Sequence, residues 1–98
     1  MGETSDVSIA SVSNQERYYV YVLQSARDNG LYIGFTSNLR NRLTTHASKQ
    51  VFATKNRTPL KLIFYEYFIN RADAIAREKF LKSGYGRDQL KNILKRTF

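Results

Sequence analysis

Cysteine is absent from the 98 residues, which excludes a disulfide framework and a thiolate metal site as ways of holding the chain together. Histidine occurs once, at His46, so a zinc site built on paired histidines is excluded as well. Long apolar runs are also missing. Those present, such as Leu62 to Tyr65, extend over a few residues, far short of the roughly 20 needed to span a bilayer, so no membrane partner is expected and the chain reads as soluble. Proline occurs once, at Pro59, and no segment repeats. Acids are scarce, eight against sixteen Lys and Arg, for a net charge of +8.

The shortage of acids is uneven along the chain. Residues 1–16 hold Glu3, Asp6 and Glu16 with no base, no aromatic and no sustained period, the composition of a disordered leader. They also lack the basic start, apolar middle and small-residue cleavage site of a secretory signal, which makes cytoplasmic residence the expectation. Residues 17–98 then form one domain. They set sixteen bases against five acids, +11 in all, the footprint of a protein that binds a polyanion, because each base beside a phosphate releases condensed counterions. With 42% apolar residues and thirteen aromatics there is enough material for one ordinary core.

From Arg17 to Gln24 the chain is almost continuously β-branched and aromatic, which suits a strand buried on both faces. The polar stretch from Ser25, ending Asp28-Asn29-Gly30, supplies turn residues before a second strand from Leu31 to Phe35, and the two read as a hairpin. Thr36, Ser37 and Asn38 are capping residues ahead of Leu39, Leu43 and Ala47, whose spacing draws an apolar stripe on a helix over about 37 to 48. Lys49 to Thr58 has no period and reads as a mobile basic loop ended by Pro59. Leu60 to Phe68 is a third strand, expected to be central. Asn70 with Asp73 caps a helix from Arg71 to Ser83, Gly84 is placed to stop it, and Leu90, Ile93 and Leu94 mark a final short helix. The order gives an α/β (α+β) sandwich, with a small sheet of about three strands flanked by helices.

Three groups of residues carry possible chemistry. On the first helix Arg42 and His46 fall one turn apart at the rim of the apolar stripe. There they can meet a phosphate oxygen and a water, or simply form part of a solvated face. Glu78 lies on its helix wheel between Ile75 on one side and Ala74 with Leu81 on the other, so it is partly desolvated. It either holds a hard cation such as Mg²⁺ or pairs with Lys82 one turn on. Tyr18, Tyr19, Tyr21 and Tyr32 crowd the first two strands, with Tyr19 and Tyr21 on one face.

Taken together, Tyr19-Val20-Tyr21, ten intervening residues, Tyr32-Ile33-Gly34, then Asn38-Leu39, Arg42, His46 and a distant Glu78 form a pattern that resembles the GIY-YIG nuclease family. The resemblance covers the chain from about Tyr18 to its end. The stretch from Arg77 to Gly86 looks like a stand-alone bacterial subfamily related to the nuclease domain of the excision-repair subunit UvrC. The first triplet departs from the family, because Tyr19 stands where the family has its glycine.

The resemblance implies a metal-dependent endonuclease that hydrolyses phosphodiester bonds in DNA, in repair or processing of DNA structures. Glu78 would hold one Mg²⁺ or Mn²⁺ on the scissile phosphate, Arg42 would stabilise developing negative charge, and Tyr21 would act as base on the attacking water. Tyr32 and His46 would position water and phosphate, and His46 can share the proton transfer. Outside this group Lys49, Lys55, Arg57, Lys82 and Arg87 are candidates for backbone contact with DNA, with RNA offering the same phosphates. A monomer is the expected state. The rival reading is a catalytically silent nucleic-acid-binding module of the same fold, against which the retention of Glu78 counts, since phosphate binding alone disfavours a carboxylate in a basic cleft.

Overall fold

A computed structural model of the chain describes residues 17–98; the leader expected over 1–16 lies outside the described residues. Three strands form one antiparallel sheet: β1 (Tyr18–Ser25), β2 (Leu31–Thr36) and β3 (Leu60–Phe68). Three helices complete the fold: α1 (Leu39–Ala47), α2 (Arg71–Lys82) and α3 (Gly84–Ile93). This is the α+β arrangement of a three-stranded sheet between helices. The strand order is β2-β1-β3, so the central strand is β1 and not β3. The reason lies in the side chains. Val20, Tyr21 and Val22 are wholly buried and Leu23 nearly so, whereas β3 alternates partly covered residues with the exposed Lys61, Tyr65 and Tyr67, which suits an edge.

Alternation along β1 sorts the two faces. Val20 and Val22 join Ile33, Ala74, Leu81, Leu90 and Leu94 in one aliphatic core, so α2 and α3 cover that face. Tyr19, Tyr21, Leu23 and Ser25 point to the other, where α1 lies. On β3 the pairing shifts between Val22 opposite Phe64 and Leu23 opposite Leu62. The extra residue, Ile63, makes a bulge that lets Leu60 and Leu62 share a face with Tyr65.

The hairpin turn places Asn29 in the left-handed region (φ 59°), as its short polar side chain allows. Gly30 follows without positive φ. What it supplies is room, since a Cβ there would meet the Arg57 guanidinium at 2.6 Å. Asn38 caps α1 by accepting from the Asn41 amide at 3.0 Å. Asn70 caps α2, accepting from Ala72 and Asp73. The expected stop at Gly84 is corrected: no glycine among the described residues has positive φ, and Ser83 ends α2 by taking an extended conformation (ψ 167°). Its hydroxyl then accepts from the Gly86 amide and caps α3, which therefore starts at Gly84, earlier than the apolar positions of that helix suggested. Gly86 is needed for close approach, because a Cβ there would run into the Phe80 carbonyl and the Leu81 backbone.

Residues 49–58, expected to be a mobile loop, are a series of hydrogen-bonded turns. Gln50 donates to the Thr45 carbonyl, Thr54 to Val51 and Arg57 to Thr54. The far end is tied to β1, with Ser25 Oγ donating to the Arg57 carbonyl at 2.6 Å and the Ala26 amide to the Pro59 carbonyl at 2.9 Å. No helix among the described residues is long and apolar enough to cross a membrane.

Candidate active site

Tyr21 sits at the middle of the central strand, directly opposite Gly34 on β2. Its ring crosses that glycine so closely that a Cβ there would overlap the Tyr21 Cζ and hydroxyl oxygen. The glycine of the second motif triplet is thus a spatial requirement of the tyrosine of the first. Tyr32, two residues before Gly34 and on the same face, packs its ring 6.3 Å from that of Tyr21 and 5.0 Å, edge to face, from the His46 imidazole.

The stripe drawn for α1 needs correction. Ala47 is exposed and Leu39 and Leu43 are only partly covered, while His46 is 1% exposed and is the buried residue of the helix. His46 therefore occupies the middle of the contact face and not its rim. It goes there because polar partners wait on both sides: Nε2 lies 2.9 Å from the Tyr21 hydroxyl and Nδ1 2.7 Å from Thr54 Oγ1. One turn earlier, Arg42 Nε donates to the Tyr21 hydroxyl at 3.4 Å.

These contacts select a tautomer. Arg42 already donates to the Tyr21 oxygen, so the phenolic proton needs an acceptor in a buried position, and the His46 Nε2 lone pair supplies it. The imidazole proton then sits on Nδ1 and is donated to Thr54. No buried side-chain polar atom among the described residues lacks a partner. Burial holds the His46 pKa below the ordinary imidazole value, with repulsion from Arg42 adding to it; the ring is neutral at pH 7. Burial likewise raises the Tyr21 pKa above the ordinary phenol value, against the hydrogen bond and charge of Arg42, with Tyr32 and the carboxylate of Glu78 adding to the rise. In return the Tyr21 hydroxyl strengthens the protonation of Arg42.

Glu78 comes from α2, between the fully buried Ala74 and Leu81 and the half-covered Ile75. Its side chain is 20% exposed and its Oε2 lies 3.1 Å from Lys82 Nζ. The carboxylate is thus largely desolvated, and it is paired with Lys82 one turn on. Among the described residues no three His, Cys, Asp or Glu side chains come together as a metal cage. A single carboxylate suits Mg²⁺, which keeps several waters and takes one or two carboxylates together with substrate phosphate oxygens.

The basic residues are scattered. Lys49 is exposed just past α1, at φ 63°. Lys55 is exposed with its ammonium 4.8 Å above the Phe52 ring. Arg57 is partly covered and 3.9 Å from Asp28. Lys82 lies on Glu78, and Arg87 is exposed on α3, in the layer across the sheet from α1. Sequence reasoning missed Thr54, which is wholly buried inside a segment with no period to announce it.

The profile described as the GIY-YIG catalytic domain matches residues 17–92. The chain belongs to the GIY-YIG family. That family is of nuclease type, and its domain occupies nearly all of the described residues. A UPF0213 protein of Limosilactobacillus reuteri is 42% identical over 82 residues, 81% of this chain and 84% of its own length. One of Staphylococcus haemolyticus is 37% identical, covering 82% of this chain and 98% of its own. The solution structure of a UPF0213 protein from Bacillus halodurans superposes with a TM-score of 0.51 at 29% identity, over 79% of this chain and 84% of that one. Tyr21, Tyr32, Gly34, Arg42 and His46, members of the spaced pattern in the sequence, are gathered on the α1 side of the sheet.

Proposed function

We propose that the chain is a metal-dependent endonuclease that hydrolyses phosphodiester bonds in DNA. The observation that carries this reading is the buried Tyr21 hydroxyl, held between the Arg42 guanidinium and a neutral His46 whose far nitrogen is fixed by Thr54. A module that only bound phosphate would have no need of a buried chain of hydrogen bonds running from Arg42 through Tyr21 and His46 to Thr54.

That chain performs a proton relay. As the water oxygen bonds to phosphorus and the phosphorus–oxygen bond to the leaving group breaks, the water's proton passes to the Tyr21 oxygen. Tyr21 gives its own proton to His46 Nε2, and Thr54 accepts from Nδ1–H of the imidazolium that results. The relay reconciles the raised Tyr21 pKa with a base role, because no free phenolate has to form. The outer N–H groups of Arg42 grip the phosphate oxygens as negative charge grows on them. Tyr32 braces His46 from the side. Glu78 is the residue that would hold a Mg²⁺ or Mn²⁺ ion, which when bound supplies Lewis-acid stabilisation of the phosphate. Exposed Lys49 and Lys55 would contact the DNA backbone, and the protein would act as a monomer.

A cleavage assay on duplex, branched and single-stranded DNA and on RNA, with Mg²⁺, Mn²⁺ or EDTA, tests this reading. Cutting of DNA should require the metal and should vanish in Glu78→Gln, which keeps the shape and still binds DNA. Full activity of Glu78→Gln would remove the metal role. Binding without cutting under every condition would make the protein the silent module.

A further inference from the structure

Two residues before Tyr21, the same face of the sheet carries a second aromatic group that the proton relay does not use. Tyr19 lies 6.1 Å from the ring of Tyr65 and 5.7 Å from that of Tyr67. These are not core tyrosines, for Tyr65 is 52% and Tyr67 44% exposed. Tyr19 and Tyr65 floor a groove of about 830 Å³ beside α1, with Arg17, Arg40 and Asn41 on its walls and no acidic side chain in its lining. Arg40 is exposed. The groove lies beside the relay on the same face of the sheet, since Tyr65 is the direct neighbour of Tyr21 across the β1–β3 pair and Tyr19 is about 6.6 Å from it along the strand. That is about two stacked nucleotides at 3.4 Å each. Tyr19 is also the residue standing where the first motif triplet has its glycine, so this chain adds a ring to the groove lining at that position.

We propose that this groove receives unpaired nucleotides of the DNA strand next to the scissile phosphate, their bases stacked on Tyr19 and Tyr65 and their phosphates facing Arg40. The proposal rests on the nuclease reading and adds a substrate class to it: frayed, flapped or single-stranded DNA ahead of continuous duplex. An unpaired base offers a free face to an exposed ring, whatever its identity, whereas a base within a duplex has both faces occupied by its neighbours. The absence of acids from the lining leaves phosphates unopposed there, and Tyr65, 52% exposed, presents aromatic surface to the groove.

The test uses the full chain in EDTA, which holds cleavage off, and DNA carrying a fluorescent aminopurine base either unpaired in a single strand or paired within a duplex. The protein should quench the unpaired probe. Tyr65→Leu keeps an apolar side chain but loses the aromatic face, and should weaken single-strand affinity roughly tenfold while changing duplex affinity less; Tyr65→Phe should restore both quenching and affinity. Tyr65→Leu binding the single strand as tightly as the unaltered protein overturns the proposal. So does firm duplex binding with an unquenched single strand, which leaves the nuclease reading standing. Failure to bind either form would bring down the nuclease reading itself.

Discussion

The two faces of the central strand are built on opposite rules. Toward α2 and α3, Val20 and Val22 meet Ile33, Ala74, Leu81 and Leu90, and nothing in that cluster carries a polar side chain. Toward α1, the buried set is Tyr21, Leu23, Ser25, His46 and Thr54, and its cohesion comes from hydrogen bonds that satisfy one another. The first face is held by area removed from water, which is tolerant of geometry. The second holds only while each polar group keeps its partner, because a buried donor or acceptor left alone costs on the order of 1 to 3 kcal/mol. Residues one position apart in sequence thus join different assemblies, Val20 and Val22 the apolar core and Tyr21 between them the hydrogen-bonded group on which the proposed chemistry rests.

This division can be broken from either side. Leu90→Ala empties a wholly buried position on the apolar face and should cost about 2 to 5 kcal/mol in denaturant unfolding, with turnover per folded molecule unchanged well below the melting temperature. Cleavage that fell further than the folded fraction would show that the two faces are coupled. Arg42→Lys works on the other face. It keeps the charge but loses the planar fork and the Nε donor to Tyr21, so single-turnover cleavage should drop roughly a hundredfold or more, about 2.7 to 4 kcal/mol, with DNA affinity near native. Survival of cleavage within a few fold would place the chemistry elsewhere.

Thr54→Val sharpens the comparison by the smallest step. Its expected cost is about 1 kcal/mol, a few-fold loss of rate, and its signature lies in pH. His46 has a depressed folded pKa, so its contribution to stability is complete above the ordinary imidazole value of about 6.5 and is lost as pH falls through the folded value. Tyr21 has a raised one, so its contribution is complete below about 10 and is lost as pH rises through the folded value. Activity should share this plateau, with an acid limb below about 6.5. Without the Thr54 acceptor the imidazolium loses support, so in Thr54→Val the acid limb should move to still lower pH, and Thr54→Ser should bring it back. An unmoved limb would make Thr54 a packing residue only.

What the sequence revealed and what it hid follow the same division. Hydrophobic pattern and capping chemistry depend on neighbours in the chain, and these made β1, the hairpin, Asn38, Asn70 and the three helices legible. Tyr21, Tyr32, Arg42 and His46 were legible as a spaced pattern, and the structure gathers them around one hydroxyl. The strand order was not legible, because the aromatic, β-branched run of β3 looks like a buried strand until its neighbours are known. The burial of His46 was hidden because helical period weighs side chains by their apolarity, whereas His46 is drawn inward by Tyr21 and Thr54, 25 and 8 residues away. Thr54 gave no local signal for the same reason: its partner makes it buried, not its surroundings in the chain.

The position of His46 as the buried residue of α1 also bears on how such a protein could lose its activity. On most enzymes the reacting group can be replaced while the scaffold stands, and a silent descendant arises by one substitution. Here the imidazole, the proton acceptor of the proposed relay, is also the peg that seats its helix on the sheet. Erasing it would unseat Arg42 as well, one turn away on the same helix. A silent relative that keeps this fold must either retain the imidazole without using it or supply a new peg in the same change, so the survival of an intact α1 is itself tied to the residue to which the proposed relay gives its proton.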